Sequence, residues 1–313
     1  MTRGMILAAG FGTRLGTLSD ERPKPLLPVA DVPLVRWALA LLRGAGIAEV
    51  VVNLHHHADA IAAELGDEVR TSREANILGT GGGIRRALPL LDDGGPFVVA
   101  NGKIVTDIDV AAVLAAHRAA GAAATLVVRA DADARRWGAI DAPEDGGPIR
   151  SLLGDGAFMF TGVHVLDPAL VARLPDDGVD RCIVRQGYVP WLAEGVPIHA
   201  YIHRGYFMEH STPERYLAGN INVVRGAVGP GHDGVDPTAR VHATARIEPP
   251  VRVGPGADIG ARAQIGPDAV VGSGARVAEG VRVARAVIWS GAEVDSDAVS
   301  AIVTPRQRVS VTL

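Results

Sequence analysis

A glycine-rich pentapeptide ending in arginine, and a lysine ten residues further on, are the first groups in this sequence able to do chemistry. Gly10-Phe11-Gly12-Thr13-Arg14 follows directly on the apolar run Met5-Ile6-Leu7-Ala8-Ala9. Glycines at that point admit a close approach of backbone N–H groups to phosphate oxygens. Arginine adds forked donors that match phosphate geometry. Lys24 lies between Pro23 and Pro25, so its backbone is restricted while its charged tip stays mobile. A cation held this way suits a transferring phosphoryl group, although a Pro-Lys-Pro triplet standing alone is more often a surface turn. Two other phosphate-binding loops fail on spacing. Gly10, Gly12 and Gly16 miss G-x-G-x-x-G, and no Lys-Ser or Lys-Thr pair completes G-x-x-x-x-G-K-[ST].

The elements around these residues alternate. Residues 5–9, 50–52, 97–100 and 123–129 read as buried strands, and 32–43, 58–65 and 109–120 as helices, the last with Asp109 as its cap. Continuously apolar strands separated by helices predict an α/β domain with a mostly parallel sheet, whose ligand chemistry lies at the carboxyl ends of the strands. Further on, 137–140, 158–160 and 196–204 read as strands and 213–222 as a helix with Pro213 in its first turn. The glycine-rich stretch 226–233 reads as a linker, giving domains 1–230 and 231–313.

From Val235 an aliphatic residue recurs every sixth position through Val241, Ile247, Val253, Ile259, Ile265, Val271 and Val277 to Val283. Neither a helix nor a lone strand has that period. Short strands joined by turns do, with three sides making a coil of about 18 residues, as in hexapeptide-repeat β-helices. Glycines at 254, 260, 266 and 272 are expected to permit the turns. The phase breaks near Trp289, read as the terminal coil with a large side chain covering its end.

Composition excludes several classes. A formal charge of -4 disfavours a sequence-independent nucleic-acid binder. The single cysteine, Cys182, excludes an internal disulfide. The apolar run at the start is short for a signal peptide and no run reaches a membrane span, so a soluble cytoplasmic protein is expected. His55-His56-His57 is read as a surface or packing cluster.

Residues 7–29, LAAGFGTRLGTLSDERPKPLLPV, resemble the signature of the sugar-phosphate nucleotidyltransferases, which join an NTP to a sugar 1-phosphate and release pyrophosphate. The likeness continues at Leu78–Gly83, at Phe160-Thr161-Gly162 and at Thr212–Leu217. It implies a Rossmann-like domain followed by a left-handed parallel β-helix. It implies that Ala9, Gly10, Gly12, Thr13 and Arg14 hold the nucleotide phosphates, and that Lys24 steadies charge at the α-phosphate. Thr80, Gly81 and Gly82 would lie against the base, with Gly102 also on the nucleotide. Gly138, Thr161 and Gly162 would face the sugar phosphate. Asn53-Leu54-His55-His56 and Arg86–Leu91 are similar to muramate 1-phosphate uridylyltransferases, and the repeat tail to mannose 1-phosphate guanylyltransferases, so UTP or GTP is favoured.

The pattern departs at the metal. Where the family has an aspartate that binds the divalent cation, this sequence has Lys103; Glu209 takes the place of the second aspartate, and Asp107 is a nearby carboxylate. The resemblance implies Mg²⁺, and Lys103 argues against it, since a protonated lysine cannot ligate a hard cation. Two functions follow: synthesis of an NDP-sugar, or a sugar-nucleotide-binding regulatory or catalytically impaired homologue. An acyltransferase working from the coils is disfavoured, because His242 is the only histidine of the repeat. A homo-oligomer assembled through the coils is expected, with removal of the tail leaving the N-terminal domain folded.

Overall fold

The apolar run at the start of the chain becomes β1 (Gly4–Leu7), the strand beside which the rest of one sheet is laid down. The computed structural model describes residues 2–312. The chain forms two units: Met1–Phe11, Val35–Gly102 and Thr106–Phe207 make the first, and Gly12–Leu34, Lys103–Val105 and Met208–Leu313 the second.

In the first unit β1 is joined by β2 (Val50–Leu54), β3 (Arg70–Arg73), β4 (Phe97–Asn101), β5 (Ala124–Ala130), β6 (Phe158–Leu166) and β7 (Ile198–Ile202). The sheet order is β7-β5-β6-β4-β1-β2-β3. β1 runs parallel to β2 and β4, and β2 to β3. β6 is inserted antiparallel to both β4 and β5, and β7 is again parallel to β5. The core beneath it includes Met5, Val51, Ile84, Phe97, Leu126 and Trp191.

The helices are α1 (Leu34–Gly44), α2 (Ala58–Leu65), α3 (Gly79–Leu91) and α4 (Val110–Ala120). Asp109 caps α4 as expected, its carboxylate accepting from the Ala112 amide at 2.9 Å.

The stretch 137–140 is mostly not strand: Ala134–Trp137 is a helical turn ended by Gly138 at φ +87°, and only Ile140–Asp141 is extended. Residues 158–160 open a nine-residue strand, because a bulge between Phe160 and His164 absorbs Thr161-Gly162. α3 was hidden by its four glycines and Pro89, which read as helix breakers.

In the second unit the sixfold series stacks with a spacing of 18: Val235, Val253 and Val271 pair in one column, Val241, Ile259 and Val277 in the next, and Ile247, Ile265 and Val283 in the third. This is a parallel β-helix with an inner core of valine, isoleucine and alanine.

The glycines act differently from the expectation. A Cβ on Gly254, Gly260 or Gly272 would lie within 2.8 Å of the backbone nitrogen of the next coil, so these glycines set coil spacing; of the four, only Gly266 has a positive φ, +106°. Past Val283 the coil shortens and keeps its columns, first by one residue where Val271 pairs Ile288 and Val277 pairs Val294, then by three where Val283 pairs Ala298. The end of the stack is closed by Arg308–Ser310, antiparallel to Ala301–Val303. Trp289 therefore does not cover an open end. It is 1% exposed, and its indole N–H donates to the Tyr216 hydroxyl at 3.0 Å. That hydroxyl in turn donates to the Pro28 carbonyl.

Other ties bind the early segment to the β-helix within this unit. Asp31 accepts from the Ser273 amide and from the Ser290 hydroxyl, the Arg22 guanidinium lies 5.2 Å over the Trp289 ring, and Gln307 donates to the Thr17 carbonyl. Trp289→Ala is expected to destabilise the second unit by about 3–5 kcal/mol, through the lost packing and the cavity left behind. Urea denaturation followed by circular dichroism checks this; a loss below about 1 kcal/mol would mean the ring is not a packed centre.

Candidate active site

In the first unit, β1 ends where Ala8, Ala9 and Gly10 begin. The Ala8 amide donates to Asn53 Oδ1 at 2.8 Å, Asn53 Nδ2 donates to Glu74 Oε1 at 2.7 Å, and Glu74 Oε2 accepts from the Leu78 amide at 3.0 Å. A relay of side chains thus joins the start of the glycine loop to the start of α3. Asn53 and Glu74 are both buried, and burial raises the Glu74 carboxyl above its ordinary range against the Asn53 hydrogen bond. Sequence reasoning missed this pair. The available signal was Asn53 itself, a lone amide in the otherwise apolar Val50–Leu54.

A Cβ on Gly10 would meet nothing within 4 Å, so its outer face is open; Gly102 packs on β1, its amide donating to the Leu7 carbonyl at 2.9 Å.

The second glycine cluster is helical. Gly79–Gly83 begin α3, and their close neighbours are protein: a Cβ on Gly79 would fall 2.1 Å from Asp180 Oδ1, one on Gly81 3.1 Å from the Arg181 carbonyl, and one on Gly82 3.1 Å from the Val179 carbonyl. Thr80 Oγ1 accepts from the Ile183 amide at 2.9 Å. The sequence alone could not tell close approach to a base from close approach to the segment 179–183.

Thr161 is buried and donates to the Val127 carbonyl at 2.7 Å, while Gly162, at φ +80°, leaves room for Asn101, whose Nδ2 would lie 1.9 Å from an added Cβ. Gly138 sits under Leu153. Asp107 Oδ1 faces His203 Nε2 at 3.1 Å. Phe11 packs edge-on to His55 with ring centroids 5.6 Å apart, and among the described residues no group of three or more His, Cys, Asp or Glu side chains is placed to hold a metal.

The second unit carries the charged cluster. Gly12 has φ +73°, and a Cβ there would come within 3.1 Å of Lys24 Cβ, so the loop can lie along the lysine stem only as glycine. Ser19 Oγ donates to the Gly12 carbonyl at 2.8 Å. Thr13–Leu15 form a short 3₁₀ turn carrying Arg14.

Glu209 Oε1 accepts from Lys103 Nζ at 2.7 Å and from Arg14 at 3.2 Å. Two backbone contacts fix that pair: the His210 amide donates to the Lys103 carbonyl at 3.0 Å, and Arg215 Nε donates to the Glu209 carbonyl at 2.8 Å. Burial would raise the Glu209 carboxyl, and the Lys103 ammonium overrides it, leaving the group below its ordinary range. Lys24, only 8% exposed, is lowered to about 7 by burial first and the Lys103 charge second.

This arrangement does not fit a divalent cation. The Glu209 oxygen that a metal would take already accepts from two cations, and an ammonium 2.7 Å from it would repel the ion. What the cluster offers instead is cationic donors for an anion.

Residues 3–153 match the family described as Nucleotidyl transferase. The mannose-1-phosphate guanylyltransferase of Mycobacterium tuberculosis (strain ATCC 25618 / H37Rv) is 30% identical over 233 residues, covering 71% of this chain and 64% of that protein. The N-acetylmuramate alpha-1-phosphate uridylyltransferase of Neisseria meningitidis serogroup B (strain ATCC BAA-335 / MC58) is 47% identical over 114 residues, 34% of this chain and 49% of that one. The chain thus spans about 64% of the length of the guanylyltransferase it matches. In fold, HddC from Yersinia pseudotuberculosis superimposes with a TM-score of 0.60 at 23% identity, over 71% of this chain and all of that one.

Proposed function

We propose that this chain, which belongs to the sugar-phosphate nucleotidyltransferase family, joins a nucleoside triphosphate to a sugar 1-phosphate and releases pyrophosphate. The observation that carries the reading is the group of Arg14, Lys24 and Lys103 about Glu209, with Gly12 lying along the Lys24 stem. In such a transfer an oxygen of the sugar phosphate bonds to the α-phosphorus as the bond from that phosphorus to the bridging oxygen breaks. The electron pair leaves with pyrophosphate. Little covalent chemistry falls to the protein, so fixed cations that hold and neutralise the phosphates do most of the work.

Arg14 and Lys24 take that role here, with Ala9, Gly10, Gly12, Thr13 and Gly102 lining the nucleotide. Thr80, Gly81 and Gly82 are assigned to the base side and Gly138, Thr161 and Gly162 to the sugar-phosphate side on the family resemblance alone, their close neighbours in the fold being protein. UTP and GTP are the favoured nucleotides, because one relative is named a uridylyltransferase and another a guanylyltransferase. The coils begin near residue 231, within a unit that also holds Gly12–Leu34, and the protein works in the cytoplasm as a homo-oligomer. No helix among the described residues is long and apolar enough to cross a membrane.

A sugar-nucleotide-binding homologue with little turnover is the second reading, favoured by the Lys103–Glu209 pair at 2.7 Å. Pyrophosphate release, measured with UTP and GTP against a panel of sugar 1-phosphates, separates the two. Turnover with one combination is expected, and Arg14→Ala should lower it at least about tenfold. No release with any combination, alongside retained NDP-sugar binding, would move the assignment to the second reading.

A further inference from the structure

We propose that Arg14, Lys24 and Lys103, gathered about Glu209 in the second unit, form a metal-independent site for a di- or triphosphate, in which the Lys103 ammonium supplies the charge that a divalent ion would otherwise bring. The proposal deepens the nucleotide reading and can fail separately from it.

Two cationic side chains, Lys103 and Arg14, share one carboxylate, and a third amine, Lys24, is 8% exposed and lies in the field of the Lys103 charge. Lys24 is buried beside the Lys103 charge, and like charges so placed repel each other. A single carboxylate accepting from two of the three groups leaves an excess of positive charge. A polyphosphate, which carries several negative charges and many acceptor oxygens, offsets that excess.

Lys103 and Glu209 are held through their own main chain by the His210 amide and the Arg215 guanidinium, so their contact is built into the backbone. Lys103 is 29% and Arg14 54% exposed along the side chain, which leaves their tips within reach of an entering anion. The anion binds by competing with Glu209 for these donors, and no bond is made or broken.

Magnesium prefers several oxygen ligands in an octahedron. The oxygen of Glu209 that faces the cluster is already engaged by a lysine and an arginine. Adding a doubly charged ion beside an ammonium raises the repulsion that the carboxylate now relieves.

Calorimetric titration of the full chain with inorganic triphosphate, first in EDTA and then in excess Mg²⁺, tests the proposal. Saturable binding in EDTA is expected, with Mg²⁺ leaving it unchanged or weakening it. Lys103→Ala should lose about tenfold or more of the affinity in EDTA, while Lys103→Arg should keep most of it. Lys103→Asp should abolish binding in EDTA and make it depend on Mg²⁺. Thermal melts of each variant establish that the fold persists, and the arginine variant keeps the test decisive if the aspartate variant is unstable. Wild-type binding that is absent in EDTA and restored by Mg²⁺ would overturn the proposal, as would full affinity in Lys103→Ala. Loss of pyrophosphate release with every sugar 1-phosphate, while triphosphate still binds in EDTA, would defeat the transferase reading and leave this one standing.

Discussion

Acidification from about pH 7 to about pH 4 is expected to remove on the order of 6 kcal/mol of stability through two buried histidines. His164 lies in β6 of the first unit, 1% exposed, with Nδ1 against the Tyr188 hydroxyl and its ring edge-on to Phe160. His210 lies in the second unit, fully buried, edge-on to Tyr216 and so close to Gly219 that an added Cβ there would meet its ring. Burial lowers each from 6.5 to about 3.

The folded-state value is below the unfolded one, so the unfolded chain binds the extra proton. The contribution is complete above about 6.5 and is lost as pH falls toward about 3. At about pH 4 each histidine has lost roughly 3 kcal/mol. Urea unfolding at both pH values, in wild type and His164→Gln, reads the first half of this. Glutamine keeps a polar partner for Tyr188 and cannot take up the proton, so the variant's acid loss should be smaller by about 3 kcal/mol. Equal losses in the two proteins would show that His164 already titrates freely in the folded state.

What the sequence could reveal tracks how local the governing forces are. The sixfold aliphatic period was legible to the residue, because each member stacks on the residue 18 positions away and a slip would turn valine outward. The apolar strands were legible for the same reason. The bulge at Thr161-Gly162 and the helix beginning at Gly79 were not, since both depend on distant backbone. Glycine at 79, 81 and 82 answers to residues 179–183, about a hundred positions on, and glycine at 162 answers to Asn101.

The charged cluster was half legible. Arg14 and Lys24 stood out by type and spacing, and Lys103 and Glu209 by departure from a pattern. That Lys103 and Glu209 meet at 2.7 Å, with Arg14 on the same oxygen, required the fold. The role of Trp289 was misread because a register break and a large side chain together suggest an end cap. The break is a one-residue shortening that preserves the columns, and the tryptophan instead fills the space beside Tyr216.

Removal of residues 232–313 is expected to abolish triphosphate binding and to leave a poorly soluble chain, contrary to the independence that a linker at 226–233 suggests. The segment Gly12–Leu34, which carries Arg14 and Lys24, belongs to the same unit as the coils. Its ties there are specific. Asp31 accepts from Ser273 and Ser290, and glycine at 254 and 272 makes room for its carboxylate. Pro28 is held through Tyr216 to Trp289, and Arg225 makes a two-pronged ion pair with Asp268 at 2.7 and 2.6 Å. Without the coils, Tyr216, Leu217 and Val224 lose part of what covers the helix Pro213–Val224, and the lysine-bearing segment loses the surface that fixes its path.

A positioning role predicts more than instability. In the full chain, Asp31→Ala should leave the β-helix folded and still weaken triphosphate binding by several-fold, since a loop freed at one end holds its cations less well. Calorimetry on Asp31→Ala and on the truncated chain, with light scattering to read any change of mass, distinguishes the outcomes. A truncated chain that stays folded, binds triphosphate with wild-type affinity and changes only its mass would make the coils an assembly device alone. Weakened binding in Asp31→Ala at unchanged mass would place the β-helix among the elements that hold the phosphate cations in position.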